Sequence, residues 1–246
     1  GRTVDAAQAR ALKEAVLGRT IDPSNLDRAA LEVAMEHAGL IGTLSEDDVV
    51  DLITDCVMPS MAHAYDGMRE ARQVSDVTGA PFIVHHAAAS AEIVVEIANE
   101  RMIAGHCNHP SFLPDEAVHY ARELRRRGAT LELSGLDLMS KRADLPDAAP
   151  FRALVRAGLV DLVGTDYAGS KYDPVSTPLF AIVREGLADV PSAVALASGN
   201  VAGRFPELTS AGLLEPGRPA DIAVFDETFG SVQRVVKAGE DAYVRS

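Results

Sequence analysis

Through the first 80 residues apolar positions recur every three or four places, a spacing that predicts helices alone. Residues 4–17 (VDAAQARALKEAVL) and 24–38 (SNLDRAALEVAMEHA) each carry an Ala/Leu/Val stripe among charges, the second behind a Ser/Asn cap. Ser45-Glu46-Asp47-Asp48 supplies another cap with first-turn acids, ahead of Val49, Val50, Leu52, Ile53 and Val57. After Met58-Pro59 a longer helix is expected to run to about Thr78 and stop at Gly79.

From Pro81 short apolar runs ending in polar residues alternate with amphipathic helices. The expected strands are PFIVHH (81–86), MIAGH (102–106), ATLELS (129–134) and LVDLVGTD (159–166). Helices are expected near 90–100, 114–127, 147–157, 178–187 and 191–203. This βα rhythm is that of a parallel sheet covered by helices. Two Pro/Gly-punctuated segments, 212–226 and 231–244, read instead as antiparallel strands of a small β appendage. Three segments result: a helical stretch over 1–80, an α/β part over 81–208 and a β segment over 209–246.

In parallel barrels, ligands and catalytic groups project from the C-terminal ends of the strands. Here the first expected strand ends His85-His86, the second Gly105-His106-Cys107-Asn108-His109, and the fourth Gly164-Thr165-Asp166. A lone histidine at a strand end is more often structural, and an aspartate there is more often a helix cap. Three strand ends carrying such donors together point to a divalent metal, Zn²⁺ first, with Mn²⁺, Fe²⁺ or Co²⁺ as alternatives and one or two ions. Such an ion activates water by lowering its pKa to about 7, and a nearby carboxylate can move the proton. Metal-assisted hydrolysis is the chemistry indicated.

The chain has 246 residues, with 23 basic against 36 acidic side chains and a net charge of −13. That balance argues against a nucleic-acid binder, which needs a basic stripe. No apolar run reaches the roughly 18 residues of a membrane span. Two cysteines, Cys56 and Cys107, make no disulfide framework, and with no visible leader the expected location is the reducing cytoplasm. The chain opens Gly1-Arg2-Thr3 without methionine, as a processed product, a tagged chain or part of something longer would.

Over roughly residues 80–240 the sequence resembles the amidohydrolase superfamily of metal-dependent hydrolases. PFIVHH looks like its fifth barrel strand, IAGHCNHP its sixth and VGTDYAG its eighth, while ASGNVAGRFPEL with GLLEPGRPADIAVFD resembles the helix after the barrel and the return into a small β-sandwich. The resemblance implies the second half of a (β/α)8 TIM barrel, strands five to eight, with the helical lead-in as an insertion and part of a β-sandwich at the end. It assigns metal ligation to His85 and His106, and ligation plus proton transfer, as general base and acid, to Asp166. Because strand neighbours face opposite ways, only one of His85 and His86 should reach the metal. His86, Asn108 and His109 could contact substrate or could cap and stabilise. Lys171 and Tyr167 could polarise or bind an anion, and Ser134 and Asp137 could line the pocket or be ordinary loop residues.

GHCNHP and ASGN look most like the enamidase and lactam-hydrolysing branches, implying hydrolysis of an amide, cyclic amide or N-acyl C–N bond. LSEDDVVDLITD is similar to phosphonate-metabolism hydrolases, so a phosphonate or phosphoester hydrolase is the alternative, as is a non-catalytic partner subunit. The family's His-x-His pair occurs nowhere in the chain. The expected partner is therefore an N-terminal-half polypeptide supplying strands one to four and that pair, in a heteromer or higher oligomer acting on a small molecule.

Overall fold

The computed structural model describes residues 4–135, 148–166, 174–206, 210–227 and 231–245. These residues fall into two compact units. One comprises the described residues up to Phe82 together with Ala88–Ile97; the other comprises Ile83–Ala87 and the described residues from Ala98 onward.

The first unit is helical. It contains α1 (Ala6–Leu17), α2 (Arg28–Ala38), α3 (Glu46–Thr78) and α4 (Ala91–Ile97). Asp5 and Gln8 form a capping box on α1, and Ser45 and Asp48 form one on α3. Leu12, Val16, Leu17, Leu31, Met35 and Val49 make its core. The interruption expected at Met58-Pro59 does not occur, because α3 continues through Pro59. A mid-helix proline costs about 3 kcal/mol by removing one backbone bond and crowding a carbonyl. The helix is anchored on both sides of it. Val50, Ile53 and Val57 pack on the core before the proline, while Arg69 pairs with Glu96 at 3.1 Å and Arg72 donates to the Ile97 carbonyl at 2.6 Å beyond it.

The second unit holds most of the parallel sheet. Its strands β1 (Phe82–His85, entering from the first unit), β2 (Met102–Gly105), β3 (Thr130–Ser134) and β4 (Leu162–Gly164) lie in that order. β2, β3 and β4 pair in parallel, with Ala104 opposite Leu131 and Leu133 opposite Val163. Between them run α5 (Pro114–Arg126) and α6 (Ala149–Arg156), followed by α7 (Ser176–Arg184), α8 (Val190–Ala195) and α9 (Gly199–Arg204). The single helix expected over 191–203 is two. The break between α8 and α9 leaves the Leu196 carbonyl to accept from Val163 N–H at 3.0 Å, so the β4 edge is met by its own chain. On β1, Ile83 is 66% exposed whereas Val84 is buried, the alternation that lets one face of the strand remain open.

The C-terminal segment forms a three-stranded antiparallel sheet of β5 (Ile222–Phe225), β6 (Val232–Lys237) and β7 (Glu240–Val244).

The N-terminal ends of the parallel strands are clamped by polar side chains. Arg204 donates from Nε to Thr130 Oγ1 at 2.6 Å and from its guanidinium to the Gly128 carbonyl at 2.7 Å and the Glu100 carbonyl. Asp161 accepts from Arg125 and from Leu131 N–H, each at 2.8 Å, and Asn200 donates to the Asp161 carbonyl at 2.8 Å. Replacing Arg204 by Ala removes its bonds to two carbonyls and the Thr130 hydroxyl, so a loss of about 1–2 kcal/mol is expected, read as a lower urea midpoint with unchanged slope.

Candidate active site

The opposite ends of these strands carry the polar cluster. The His85 and His106 rings lie 4.4 Å apart between centroids, and His109 stands 5.3 Å from His85 and 6.3 Å from His106. His106 Nε2 is 3.3 Å from Asp166 Oδ2. His106 keeps only 12% of its side chain exposed while Asp166 keeps 33%, so the carboxylate retains access to water while the imidazole is largely shielded. The donors of three strand ends therefore meet, although His85 and Asp166 are 81 positions apart in sequence.

Backbone conformation marks the same two residues. His106 has φ 64° and Asp166 has φ 48°, both left-handed. Non-glycine residues hold that conformation at a cost of order 1–3 kcal/mol, and such strain concentrates where a side chain must be aimed. In His106 the strain is held by hydrogen bonds on both sides: its N–H donates to Glu132 Oε2 at 2.9 Å and its carbonyl accepts from His109 N–H at 2.7 Å.

Glu132 is the residue that sequence reasoning missed. It accepts from Gly164 N–H as well, at 3.1 Å on Oε1. Burial pushes its carboxyl above the usual range, against the opposing pull of the His106 N–H. The available signal was an acid in the middle of an apolar strand, Leu131-Glu132-Leu133, which alternation alone reads as an ordinary solvent-facing position.

His86 lies elsewhere. It is buried against Phe112 and Tyr120, with ring centroids at 4.8 Å and 6.1 Å, and neither ring nitrogen has a hydrogen-bond partner. His85 and His86 thus take opposite sides of the chain, and His85 is the one that joins the cluster. Asn108 is also buried, its amide closed on Ser134: Nδ2 donates to the Ser134 carbonyl at 3.0 Å and Oδ1 accepts from Ser134 N–H at 2.7 Å. It ties the end of β2 to that of β3. His109 Nδ1 accepts from Ser111 N–H at 3.1 Å, which orients its ring. Ser134 is buried, with no partner for its hydroxyl. Burial pushes the Cys107 thiol far up, so it is no nucleophile. Asp137, Tyr167 and Lys171 lie outside the described residues.

Two imidazoles and a carboxylate have the donor chemistry of a zinc-type site. Among the described residues, however, no group of three or more His, Cys, Asp or Glu is arranged to hold an ion by itself. An ion held here would need donors beyond these three. No helix among the described residues is long and apolar enough to cross a membrane.

The family model described as the amidohydrolase family matches residues 43–241. The chain belongs to the amidohydrolase family. Solved structures carry the same fold. It is similar to the β-aspartyl dipeptidase of Fervidobacterium islandicum AW-1 in complex with a β-Asp-Leu dipeptide, with a TM-score of 0.54 and 17% identity over 75% of this chain and 53% of that one. A variant of atrazine chlorohydrolase from Arthrobacter aurescens TC1, complexed with zinc and atraton, gives 0.53 and 16% over 73% and 48%. The 5-methylcytosine deaminase of Klebsiella pneumoniae, liganded with 5-fluorocytosine, gives 0.51 and 15% over 98% and 74%. No curated protein matches the chain in sequence. The chain spans about half the length of the dipeptidase and the chlorohydrolase.

Burial holds the His86 pKa down to about 3, so the folded protein keeps this ring neutral whereas the unfolded chain binds a proton below about 6.5. Stability from this residue is therefore complete above about pH 6.5 and falls progressively as the pH drops toward 3. In His86→Phe the loss of melting temperature between pH 7 and pH 5 should be smaller than in the wild type. Equal losses would show that His86 is not the group responsible.

Proposed function

We propose that this chain is part of a metal-dependent amidohydrolase that cleaves a C–N bond in an amide, cyclic amide or N-acyl compound. The observation that carries this reading is the meeting of His85, His106 and Asp166, two of them in left-handed backbone, with His106 and Asp166 3.3 Å apart. His85, His106 and Asp166 would hold a divalent ion, most suitably Zn²⁺, which supplies Lewis acidity and activated water. Asp166, partly open to solvent, takes a proton from the attacking water and returns it to the departing nitrogen. His106 pairs with the Asp166 carboxylate and keeps it directed into the cluster. His109, Asn108 and His86 serve differently: His109 flanks the cluster and can touch substrate, while Asn108 and His86 support the strand ends behind it.

The sheet would be strands five to eight of a (β/α)8 barrel, and β5–β7 a portion of the accompanying β-sandwich. The remaining ligands, a His-x-His pair absent from this sequence, would come from a polypeptide carrying strands one to four. The open face of β1 at Ile83 supports that division.

The test is hydrolysis of a panel of cyclic amides and N-acyl compounds by the protein purified with any companion chain, alongside metal analysis. Asp166→Asn should lower kcat by about 10²–10⁴. His106→Ala should remove both metal and turnover. Activity and metal content unchanged in His106→Ala would contradict the assignment.

A further inference from the structure

A carboxylate between two wholly buried leucines, Leu131 and Leu133, is costly to desolvate unless it is partnered. Glu132 has two partners, and they are informative. Oε2 takes the N–H of His106 at 2.9 Å, and Oε1 takes the N–H of Gly164 at 3.1 Å, two residues before Asp166. One side chain on β3 thus links the ends of β2 and β4, the strands on either side of it that carry His106 and Asp166. The approach at Gly164 is close. A Cβ there would lie 2.5 Å from Glu132 Oε1, and its three nearest neighbours would all be Glu132 side-chain atoms. Meanwhile His106 and Asp166 hold left-handed backbone, which non-glycine residues keep only when their surroundings impose it. One of the two N–H groups that Glu132 binds is that of His106.

We propose that Glu132 is a positioning residue: it fixes His106 in its left-handed conformation and sets its spacing from Asp166, so that the two donors stand ready for a divalent cation. For the cation this rests on the function proposed above. For the geometry it does not.

Two variants disturb the link from opposite sides. Glu132→Gln keeps the size of the side chain but turns one acceptor oxygen into an NH₂ group facing a backbone N–H. Gly164→Ala leaves the carboxylate chemically intact and pushes it from its place. Zn²⁺ is titrated calorimetrically into metal-free protein, purified with any companion chain, and the metal-free melting temperature is followed in parallel. Both variants should weaken zinc binding about 10–100-fold, more than the change in melting temperature accounts for. In metal-free crystals of either variant, His106 should leave the left-handed region and lose its 3.3 Å contact with Asp166. Zinc affinity within about twofold of the wild type in both variants would overturn the proposal, since outer-shell partners ordinarily count for more. Should the wild type itself bind no zinc, the metal reading fails, and the metal-free crystals decide the role of Glu132 alone: a displaced His106 upholds it and an undisturbed one ends it. Should Glu132→Gln not fold, Gly164→Ala carries both measurements.

Discussion

Parallel strands send all their C-terminal ends to one edge of the sheet, and the chemistry of this protein depends on that constraint. His85 ends β1, while His106 and Asp166 follow β2 and β4; the three are separated by tens of residues in sequence yet delivered to one place. Direction alone does not aim the side chains. An extended residue after β2 would continue the alternation of the strand, whereas the left-handed turn at His106 redirects its ring toward Asp166. The same device recurs at Asp166 itself. At His106 the unfavourable backbone is held by two hydrogen bonds, its N–H donating to Glu132 and its carbonyl accepting from His109 N–H.

The two ends of the sheet divide their work. At the N-terminal ends, Arg204, Asp161, Arg125 and Asn200 close backbone groups with charged or amide partners. At the C-terminal ends the partners are histidines and carboxylates, and the open face of β1 leaves His85 exposed.

Much of this could be read from the residues. The four strands lie inside the segments marked by their apolar runs, each trimmed at its ends, because β-branched and leucine-rich runs between helical stripes have few other solutions. The resemblance singled out His85, and alternation said only that His85 and His86 face opposite ways; the His86 ring lies against Phe112 and the His85 ring beside His106. Less legible were features that depend on distant partners. The continuity of α3 through Pro59 rests on packing to both sides, and the separation of α8 from α9 rests on a bond between Leu196 and Val163. Glu132 escaped notice because its meaning lies in the amides of two neighbouring strands, which no local pattern records. Asn108 was expected either to contact substrate or to cap, and its amide is engaged by the backbone of Ser134 of β3.

The decisive measurement is anomalous diffraction at the zinc edge from crystals of the protein, purified with any companion chain and loaded with Zn²⁺. The expected result is an ion within about 2.0–2.2 Å of an imidazole nitrogen of His85, one of His106 and a carboxylate oxygen of Asp166. Zinc bound elsewhere, or absent while these three side chains keep their present arrangement, would contradict the assignment of this cluster as a metal site.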